Sequence, residues 1–515
     1  MRHDSGRFKR LLPSPWFQVA LVVAGGAIYS LALVRRGLSP SDVETLDGAR
    51  RLSTHLPGSA PPQTLATDHP FVEWLLAAIH GLTGTPLETI WVLGTAAAAA
   101  AALPAVWQLV SPIRRPGARW CALLSFAAAP TVVAASSASL PAALALAVWS
   151  WLLVGLTAVR RGPFERLLEW TGWGVMLFAW PPALVWLGLW LLVELTMSDR
   201  SSIALGDLAI PLGAAGSMTL ILPGFHSSDI ATAWETYLQH VLTHREGPFW
   251  FAGYLYSEAR PPVWAGIELF VWSWPAAVVV AGFVGWGLTW WVSSRSLTDR
   301  TLTRRRQRCA RLVAWCLPSL WLVPWLTRHA AWGSIDISLM AAPVIALAVG
   351  LAVDHLEDAI DRLEVGPARL NWTVFLAAAV VVASSLAGSI RSHPMQGSYY
   401  NGALGGLPAA VHRGHRLSRD DVLPVDLVDR LPRDTQVFAV GAEERLERYA
   451  AFNWLAPGRL ADGPGSADVV LRPLEPFGPG DKAGPDLMFD TTGGFELFEV
   501  DGFPVWLVSH ESPTE

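Results

Sequence analysis

Long apolar runs recur along the first three quarters of the chain, and most are close to twenty residues long. An α-helix needs about 20 apolar residues to cross the hydrocarbon core of a bilayer. The pattern therefore predicts about eleven membrane spans, of which the fifth and sixth are short and separated by Pro181-Pro182. The predicted spans are Trp16–Val34, Leu87–Val110, Trp120–Ala135, Pro141–Val159, Thr171–Trp180, Ala183–Thr196, Leu205–Pro223, Ile267–Val292, Leu312–Leu326, Ile335–Val353 and Trp372–Ala387.

Two long segments between spans are more polar: residues 35–86 and residues 224–266. The first contains two amphipathic pieces, Ser41–Leu52 and Pro70–Leu82, with a stretch rich in Pro, Ser and Thr between them. Amphipathic pieces of this kind are typical of helices that lie in the membrane interface rather than cross it.

The pattern changes after the last predicted span. Strand-like runs appear at Gln436–Val440 and Val469–Leu471, and two more, Phe495–Val500 and Pro504–Ser509, flank Asp501-Gly502. An Asp-Gly pair between two alternating runs is a strong hairpin signal. We therefore predict a small mixed α/β domain at the C-terminus.

Composition supports a membrane protein and excludes several other classes. Of the 515 residues, 52% are hydrophobic and only 16% are charged, whereas soluble domains have about 25% charged residues. The low charge argues against a soluble enzyme, a solenoid, a disordered chain and a nucleic-acid binder. The 27 Trp residues are expected where the bilayer meets water, and three Cys are too few for a disulfide framework.

Arginine placement predicts the orientation. Basic residues cluster in alternate loops, and the densest run lies between Arg295 and Arg311. Because cytoplasmic loops carry an excess of Lys and Arg, we expect a cytoplasmic N-terminus and both long segments outside. The predicted organisation is a membrane domain over residues 1–390 and an extracytoplasmic domain over residues 391–515. Four residues of the first outer segment break the rule: Arg35, Arg36, Arg50 and Arg51.

The first candidate site residues are acids just after the first span. Asp42 and Glu44 lie near the start of the amphipathic piece that begins at Ser41, and a carboxylate held at the membrane face can take a proton from an acceptor hydroxyl. The alternative is an ordinary helix start, since acidic side chains stabilise a helix N-terminus.

Further candidates lie before the second amphipathic piece and in the second outer segment. Asp68-His69 can orient a base or contact phosphate, although a His before Pro is also a common turn residue. His244 follows His240 by one helical turn, but no zincin motif is present, so we assign no metal ligand. Arg245 suits a lipid phosphate because its guanidinium donates two parallel hydrogen bonds; an interfacial charge is the alternative. The same segment contributes Tyr254, Glu258 and Arg260.

Asp336 is a separate candidate because it lies in or at the edge of a predicted span. Acids inside a membrane are costly and usually line a cavity, although a small shift of the boundary would make Asp336 interfacial. Lysine occurs only at Lys9 and Lys482. Any phosphate at the membrane domain must therefore be held by Arg, His, Tyr or backbone groups.

Taken in order, several segments resemble the GT-C superfamily of polyprenyl-phosphate-sugar-dependent glycosyltransferases, in its bacterial protein O-mannosyltransferase and aminoarabinose-transferase-like branch. The first is Asp42-Val43-Glu44, which looks like the acidic motif of that family. The others are Asp68-His69-Pro70, Thr243-His244-Arg245-Glu246-Gly247-Pro248, Arg260-Pro261-Pro262-Val263-Trp264 and His393-Pro394 with Ser398-Tyr399-Tyr400-Asn401 and Gly405-Gly406-Leu407.

The resemblance implies a reaction and its participants. A sugar would move from a polyprenyl-phosphate donor to a hydroxyl of an acceptor glycan, lipid or protein, usually with inversion, at the outer face of a bacterial inner membrane. Asp42 would be the base and Glu44 the second choice. His69, His244, Arg245, Arg260 and Tyr254 would bind donor phosphate or substrate. Membrane lipid is a further expected partner, whereas nucleic acid is not expected. The resemblance leaves open whether a divalent cation takes part.

The sequence also departs from the family pattern. Ser136-Ser137-Ala138-Ser139 stands where many relatives have an Asp, and Trp272-Ser273-Trp274-Pro275 stands where relatives often have Lys-Thr-Pro. Asp336 falls near the usual place of an Arg. A protein with the GT-C scaffold that binds lipid-linked sugar or a partner enzyme, without transferase activity, is therefore the alternative; a transporter fits less well.

Overall fold

The fold is described from a computed structural model. It describes residues 15–36, 40–55, 70–138, 140–158, 163–179, 249–251, 254–256, 264–292, 300–327, 334–362, 367–392, 401–404, 406, 409–410, 431, 434–439, 446–447, 457–473, 495–500 and 503–510.

Helices dominate this part of the chain. In order they are α1 (Pro15–Arg36), α2 (Pro40–His55), α3 (Pro70–Thr83), α4 (Leu87–Leu109), α5 (Pro116–Ala127), α6 (Pro130–Ala138), α7 (Leu140–Thr157), α8 (Pro163–Ala179), α9 (Ala265–Ser273), α10 (Ala276–Val292), α11 (Arg300–Thr327), α12 (Ser334–Arg362) and α13 (Pro367–Arg391).

The chain is a mostly helical polytopic membrane protein with a small sheet near its C-terminus. Among the described residues, four segments are long and apolar enough to cross a membrane: Leu87–Leu109, Leu140–Thr157, Leu339–Ile360 and Trp372–Arg391. Shorter apolar helical stretches include Trp16–Tyr29 and Ala276–Thr289. The total of eleven spans stays a prediction, because two of them, Ala183–Thr196 and Leu205–Pro223, lie outside the described residues.

Two predicted spans are each divided into two helices. The run Trp120–Ala135 is split between α5 and α6 just before Pro130, and the run Ile267–Val292 is split between α9 and α10 just before Pro275. Proline has no N–H to donate and forces the preceding residue out of helical geometry; Trp274 accordingly has φ −120° and ψ 146°. Hydrophobic length alone could not show these breaks.

The helices share one apolar core. Helix α4 packs between α1 and α7, while α12 packs against α5, α6 and α10. Trp91, Trp149 and Trp173 are fully buried in this core, and the indole N–H of Trp149 donates to the carbonyl of Met340 over 2.8 Å. Some Trp residues are therefore core residues, contrary to an interfacial role for all, whereas Trp16 is largely exposed.

A buried charge cluster joins three elements at one end of the core. Asp354 of α12 is completely buried, and its Oδ2 accepts a hydrogen bond from Arg306 of α11 over 3.1 Å. Its Oδ1 accepts the backbone N–H groups of Arg114 and Arg115, over 3.2 and 3.1 Å, in the turn between α4 and α5. The carboxylate therefore holds two helices and a turn together.

Neighbouring arginines of α11 cap the ends of other helices. Arg305 donates to the carbonyl of Gln108 over 3.0 Å at the end of α4. Arg308 donates to the carbonyls of Leu156 and Ala158 at the end of α7. The last carbonyls of a helix have no partner within it, so these guanidinium groups satisfy them. The densest basic run in the sequence thus has a structural role.

The C-terminal strands confirm the sequence prediction. Strands β3 (Val437–Ala439), β4 (Val469–Pro473), β5 (Phe495–Val500) and β6 (Phe503–His510) form one sheet in the order β3-β4-β6-β5. The β3–β4 pair is parallel, whereas β4–β6 and the β5–β6 hairpin are antiparallel.

The second outer segment contributes a separate antiparallel ribbon. Its strands are β1 (Phe249–Phe251) and β2 (Tyr254–Tyr256), and the sequence pattern did not predict it.

Candidate active site

Both amphipathic pieces of the first outer segment are helices, as predicted. Helix α2 runs from Pro40 to His55 and α3 from Pro70 to Thr83. Proline suits the first turn of a helix because its missing N–H would have no partner there, which explains both starting points. Helix α3 is followed almost at once by α4, so this pair of helices lies at the N-terminal end of a membrane span.

Helical position distinguishes the two candidate acids of α2, Asp42 and Glu44. Thr45, Leu46 and Ala49 are buried and define the face of α2 that packs against the protein. Asp42 precedes them by three, four and seven positions, which places it on the same stripe, because residues with these spacings share one face of a helix. Glu44 precedes the exposed Arg51 by seven positions and so lies on the opposite side.

A third acid, Glu73 of α3, lies against α2. Glu73 is 1% exposed, and a Cβ added to Gly48 would lie 2.4 Å from its carboxyl carbon. The absence of a side chain at position 48 therefore lets the carboxyl group lie directly on the backbone of α2. The two helices approach closely at this point, one turn beyond Glu44.

Sequence reasoning missed Glu73, although a signal was present. Glu73 precedes the buried residues Leu76 and Ala77 by three and four positions, so it lies on the apolar face of α3. Burying an acid costs free energy. An acid on the apolar face of an amphipathic helix is therefore a candidate site residue that the sequence alone can identify.

An ion pair joins α2 to the membrane domain. Arg50 lies 3.4 Å from Glu88 in the first turn of α4, and both side chains are partly exposed. An exposed pair of this kind contributes less than about 1 kcal/mol. The ion pair nevertheless gives a role to Arg50, one of the four arginines that do not follow the expected excess of Lys and Arg in cytoplasmic loops. Arg50 helps to position α2.

The other predicted site residues are only partly described. Tyr254 lies in β2, opposite Phe251 of β1, and Asp336 lies in the first turn of α12. Asp68, His69, His244, Arg245, Glu258 and Arg260 lie outside the described residues, as do the side chains of Asp42, Glu44, Tyr254 and Asp336. The convergence of these groups on one site therefore stays a prediction.

Asn401, at the end of the Ser-Tyr-Tyr-Asn motif, connects the C-terminal part of the chain to α9. Its backbone N–H donates to the carbonyl of Trp272 over 2.7 Å, and its side-chain amide donates to the carbonyl of Val271 over 3.1 Å. Its own backbone carbonyl accepts the N–H of Gly406, whose φ of 64° favours glycine. Asn401 therefore caps the last turn of α9.

The Trp272-Ser273-Trp274 segment is buried beside this contact. Trp272, Ser273 and Trp274 are at most 8% exposed, and the rings of Phe270 and Trp274 are 6.3 Å apart. These side chains form a packed aromatic group at the end of α9. Across the residues that the structure describes, no cluster of His, Cys, Asp or Glu is arranged to hold a metal ion.

Comparison with solved structures finds similarity at low identity. The chain is similar to ArnT from Cupriavidus metallidurans bound to undecaprenyl phosphate, with 14% identity and a TM-score of 0.45 over 96% of this chain and 98% of that one. The apo state of ArnT gives 14% identity and a TM-score of 0.45 over 98% and 99% of the two chains. The archaeal oligosaccharyltransferase AglB from Archaeoglobus fulgidus gives 12% identity and a TM-score of 0.42 over 89% and 69%. No family model matches the chain, and no curated protein is similar to it.

Proposed function

We propose that this protein is a membrane glycosyltransferase that moves a sugar from a polyprenyl-phosphate donor to an acceptor hydroxyl. One observation supports the proposal: by helical position Asp42 falls on the stripe of α2 that the buried Thr45, Leu46 and Ala49 define, and α2 packs on α3 at the N-terminal end of a membrane span. A carboxylate held at the end of a membrane span can contact both a lipid-linked donor and an acceptor that approaches from outside the bilayer.

In the proposed reaction Asp42 is the general base. Its carboxylate accepts the proton of the acceptor hydroxyl as that oxygen attacks the anomeric carbon of the donor sugar. The bond between the anomeric carbon and the phosphate oxygen breaks, so polyprenyl phosphate leaves and the configuration is inverted. Because Glu44 lies on the opposite side of α2 by helical position, it is the second choice.

The leaving phosphate needs cationic or hydrogen-bonding groups, since its charge develops as the bond breaks. We assign this role to Arg245 with His244, His69, Arg260 and Tyr254, because the membrane domain contains almost no lysine. The sugar and the acceptor stay unassigned. The proposed location is the outer face of a bacterial inner membrane, with residues 391–515 as an extracytoplasmic domain.

The test compares two acids of the same helix. Purified wild-type protein in lipid nanodiscs is given a panel of polyprenyl-phosphate sugars, and transfer is measured with Asp42→Asn and Asp47→Asn variants. We expect Asp42→Asn to lose about 10²- to 10⁴-fold in turnover, the contribution of a general base, while donor binding persists. Asp47→Asn is the matched control and should keep its activity. Undiminished turnover in Asp42→Asn would contradict the assignment.

A second candidate function is supported by the buried Trp272-Ser273-Trp274 segment, which offers no charge where relatives often have one. In that case the protein binds lipid-linked sugar, or a partner enzyme, without transferring the sugar. Wild-type protein that binds the donors but transfers none of them would favour this function over the first.

A further inference from the structure

A groove opens between α5 and α13, away from the candidate active site. It encloses about 440 Å³, which lies within the range of small-molecule sites. Helix α4 has 23 residues and is therefore about 34 Å long. The surface helices α2 and α3 adjoin its first residue, whereas the groove begins just beyond its last one. The groove and the candidate active site are thus at opposite ends of a membrane span.

The wall of the groove is apolar, and its floor is made of small residues. Ala378 and Ala379 of α13 lie opposite Cys121 of α5, and Trp120 and Phe375 stand at the rim. Trp120 and Phe375 are both exposed at the protein surface. Helices that span a membrane present this kind of surface to lipid, so the groove has the apolar character needed to hold part of an acyl chain.

The mouth of the groove has two opposite charges. Arg115, at the N-terminus of α5, lies 3.2 Å from Glu357 of α12, and their side chains are 42% and 15% exposed. Gly117 lies at the same place, since a Cβ there would make an ordinary van der Waals contact, 3.6 Å from a carboxylate oxygen of Glu357. An apolar groove therefore ends at one guanidinium and one carboxylate.

We propose that this groove binds a phospholipid with a phosphoethanolamine head group. Its acyl chain would lie along Ala378 and Ala379, its phosphate would accept hydrogen bonds from Arg115, and its ammonium group would donate to Glu357. Arginine binds phosphate through a planar fork of donors, and a primary ammonium group has three donors for a carboxylate.

The mouth of the groove discriminates between head groups for a physical reason. Phosphatidylcholine has a cation but no N–H, so it cannot donate to Glu357. Phosphatidylglycerol has a phosphate but no cation, and its net negative charge would lie beside that carboxylate. Of these three head groups, ethanolamine alone complements both charges with hydrogen bonds.

The experiment uses delipidated full-length protein in detergent and native mass spectrometry. Phosphatidylethanolamine, phosphatidylcholine and phosphatidylglycerol, all with dioleoyl chains, are titrated separately. We expect phosphatidylethanolamine to bind roughly tenfold more tightly than the other two, the effect of about one charge-assisted hydrogen bond. Arg115→Ala and Glu357→Gln should each remove this preference, and Ala379→Phe should reduce binding of all three lipids by filling the groove.

The neighbouring Arg114 provides the matched control, because its side chain is exposed and does not line the groove. Arg114→Ala should keep the preference for phosphatidylethanolamine. Equal affinity of wild-type protein for the three lipids would by itself overturn the proposal, whatever the variants show. Tighter binding of a polyprenyl phosphate than of phosphatidylethanolamine, lost in Ala379→Phe, would also overturn it by identifying a different occupant.

Discussion

Removing the buried carboxylate of Asp354 should destabilise the membrane domain strongly. In the Asp354→Ala variant, the backbone N–H groups of Arg114 and Arg115 lose their acceptor, and the guanidinium of Arg306 loses its partner. The side chains of Asp354 and Arg306 are 0% and 7% exposed, so little water can replace these contacts.

The size of the effect follows from the number and kind of lost contacts. Breaking a buried ion pair by removing one member costs about 3–5 kcal/mol, and each buried donor left without an acceptor costs about 1–3 kcal/mol. Because relaxation of the turn recovers part of this, we expect a loss of about 4 kcal/mol in the free energy of unfolding. That loss changes the folding equilibrium constant nearly a thousandfold.

The assay is unfolding in mixed micelles with increasing sodium dodecyl sulfate, followed by tryptophan fluorescence. Asp358→Ala is the matched control, since Asp358 lies one turn further along α12 and is partly exposed. The double variant Asp354→Asn/Arg306→Met should be more stable than Asp354→Ala, because it leaves no buried charge unpaired. Unfolding of Asp354→Ala at the wild-type detergent fraction would refute this reasoning.

Three further predictions test close packing. Asn401→Ala should loosen the segment that caps α9, because it removes the side-chain amide that donates to the carbonyl of Val271 and accepts the backbone N–H of Ala403; faster hydrogen exchange at residues 401–406 would show this loosening, and unchanged exchange would contradict it. Gly48→Ala should force the buried carboxyl of Glu73 away from α2 and cost about 1–3 kcal/mol by overpacking, whereas Gly81→Ala, which meets open space, should keep wild-type thermal stability. Gly285→Ala should cost about 1–3 kcal/mol by overpacking, because its Cβ would lie 2.0 Å from a carbonyl oxygen of α12. The control is Gly287→Ala, whose added Cβ would have no atom within 4 Å. Equal thermal stability of the two variants would contradict the overpacking argument.

Hydrophobic length and turn chemistry made much of the secondary structure predictable. The two helices of the first outer segment and the hairpin around Asp501-Gly502 occur as predicted. Both depend on local properties: amphipathic periodicity, a proline at a helix start, and a dipeptide suited to a tight turn. The two helix breaks are also local, because each precedes a proline, but runs of apolar residues concealed them.

The roles of particular charges depended on tertiary contacts. The sequence marked Arg305, Arg306 and Arg308 only as members of a basic run, whereas the structure gives each a different partner on a different element. Asp354 stood in the sequence as one more acid just beyond a predicted span. Its two backbone partners are about 240 residues away, a separation that no local pattern can reveal.

By itself, the sequence determined that this is a membrane protein with surface helices and a C-terminal sheet, because burial in lipid requires long apolar runs and few charges. It also identified Asp42 as the leading candidate for a base, by position and resemblance. The tertiary structure decided which face of α2 is buried, the one that carries Thr45, Leu46 and Ala49, and it brought the carboxyl of Glu73 onto Gly48. Such contacts arise from the packing of separate helices, and their cost or benefit depends on what surrounds each charge once water has been excluded.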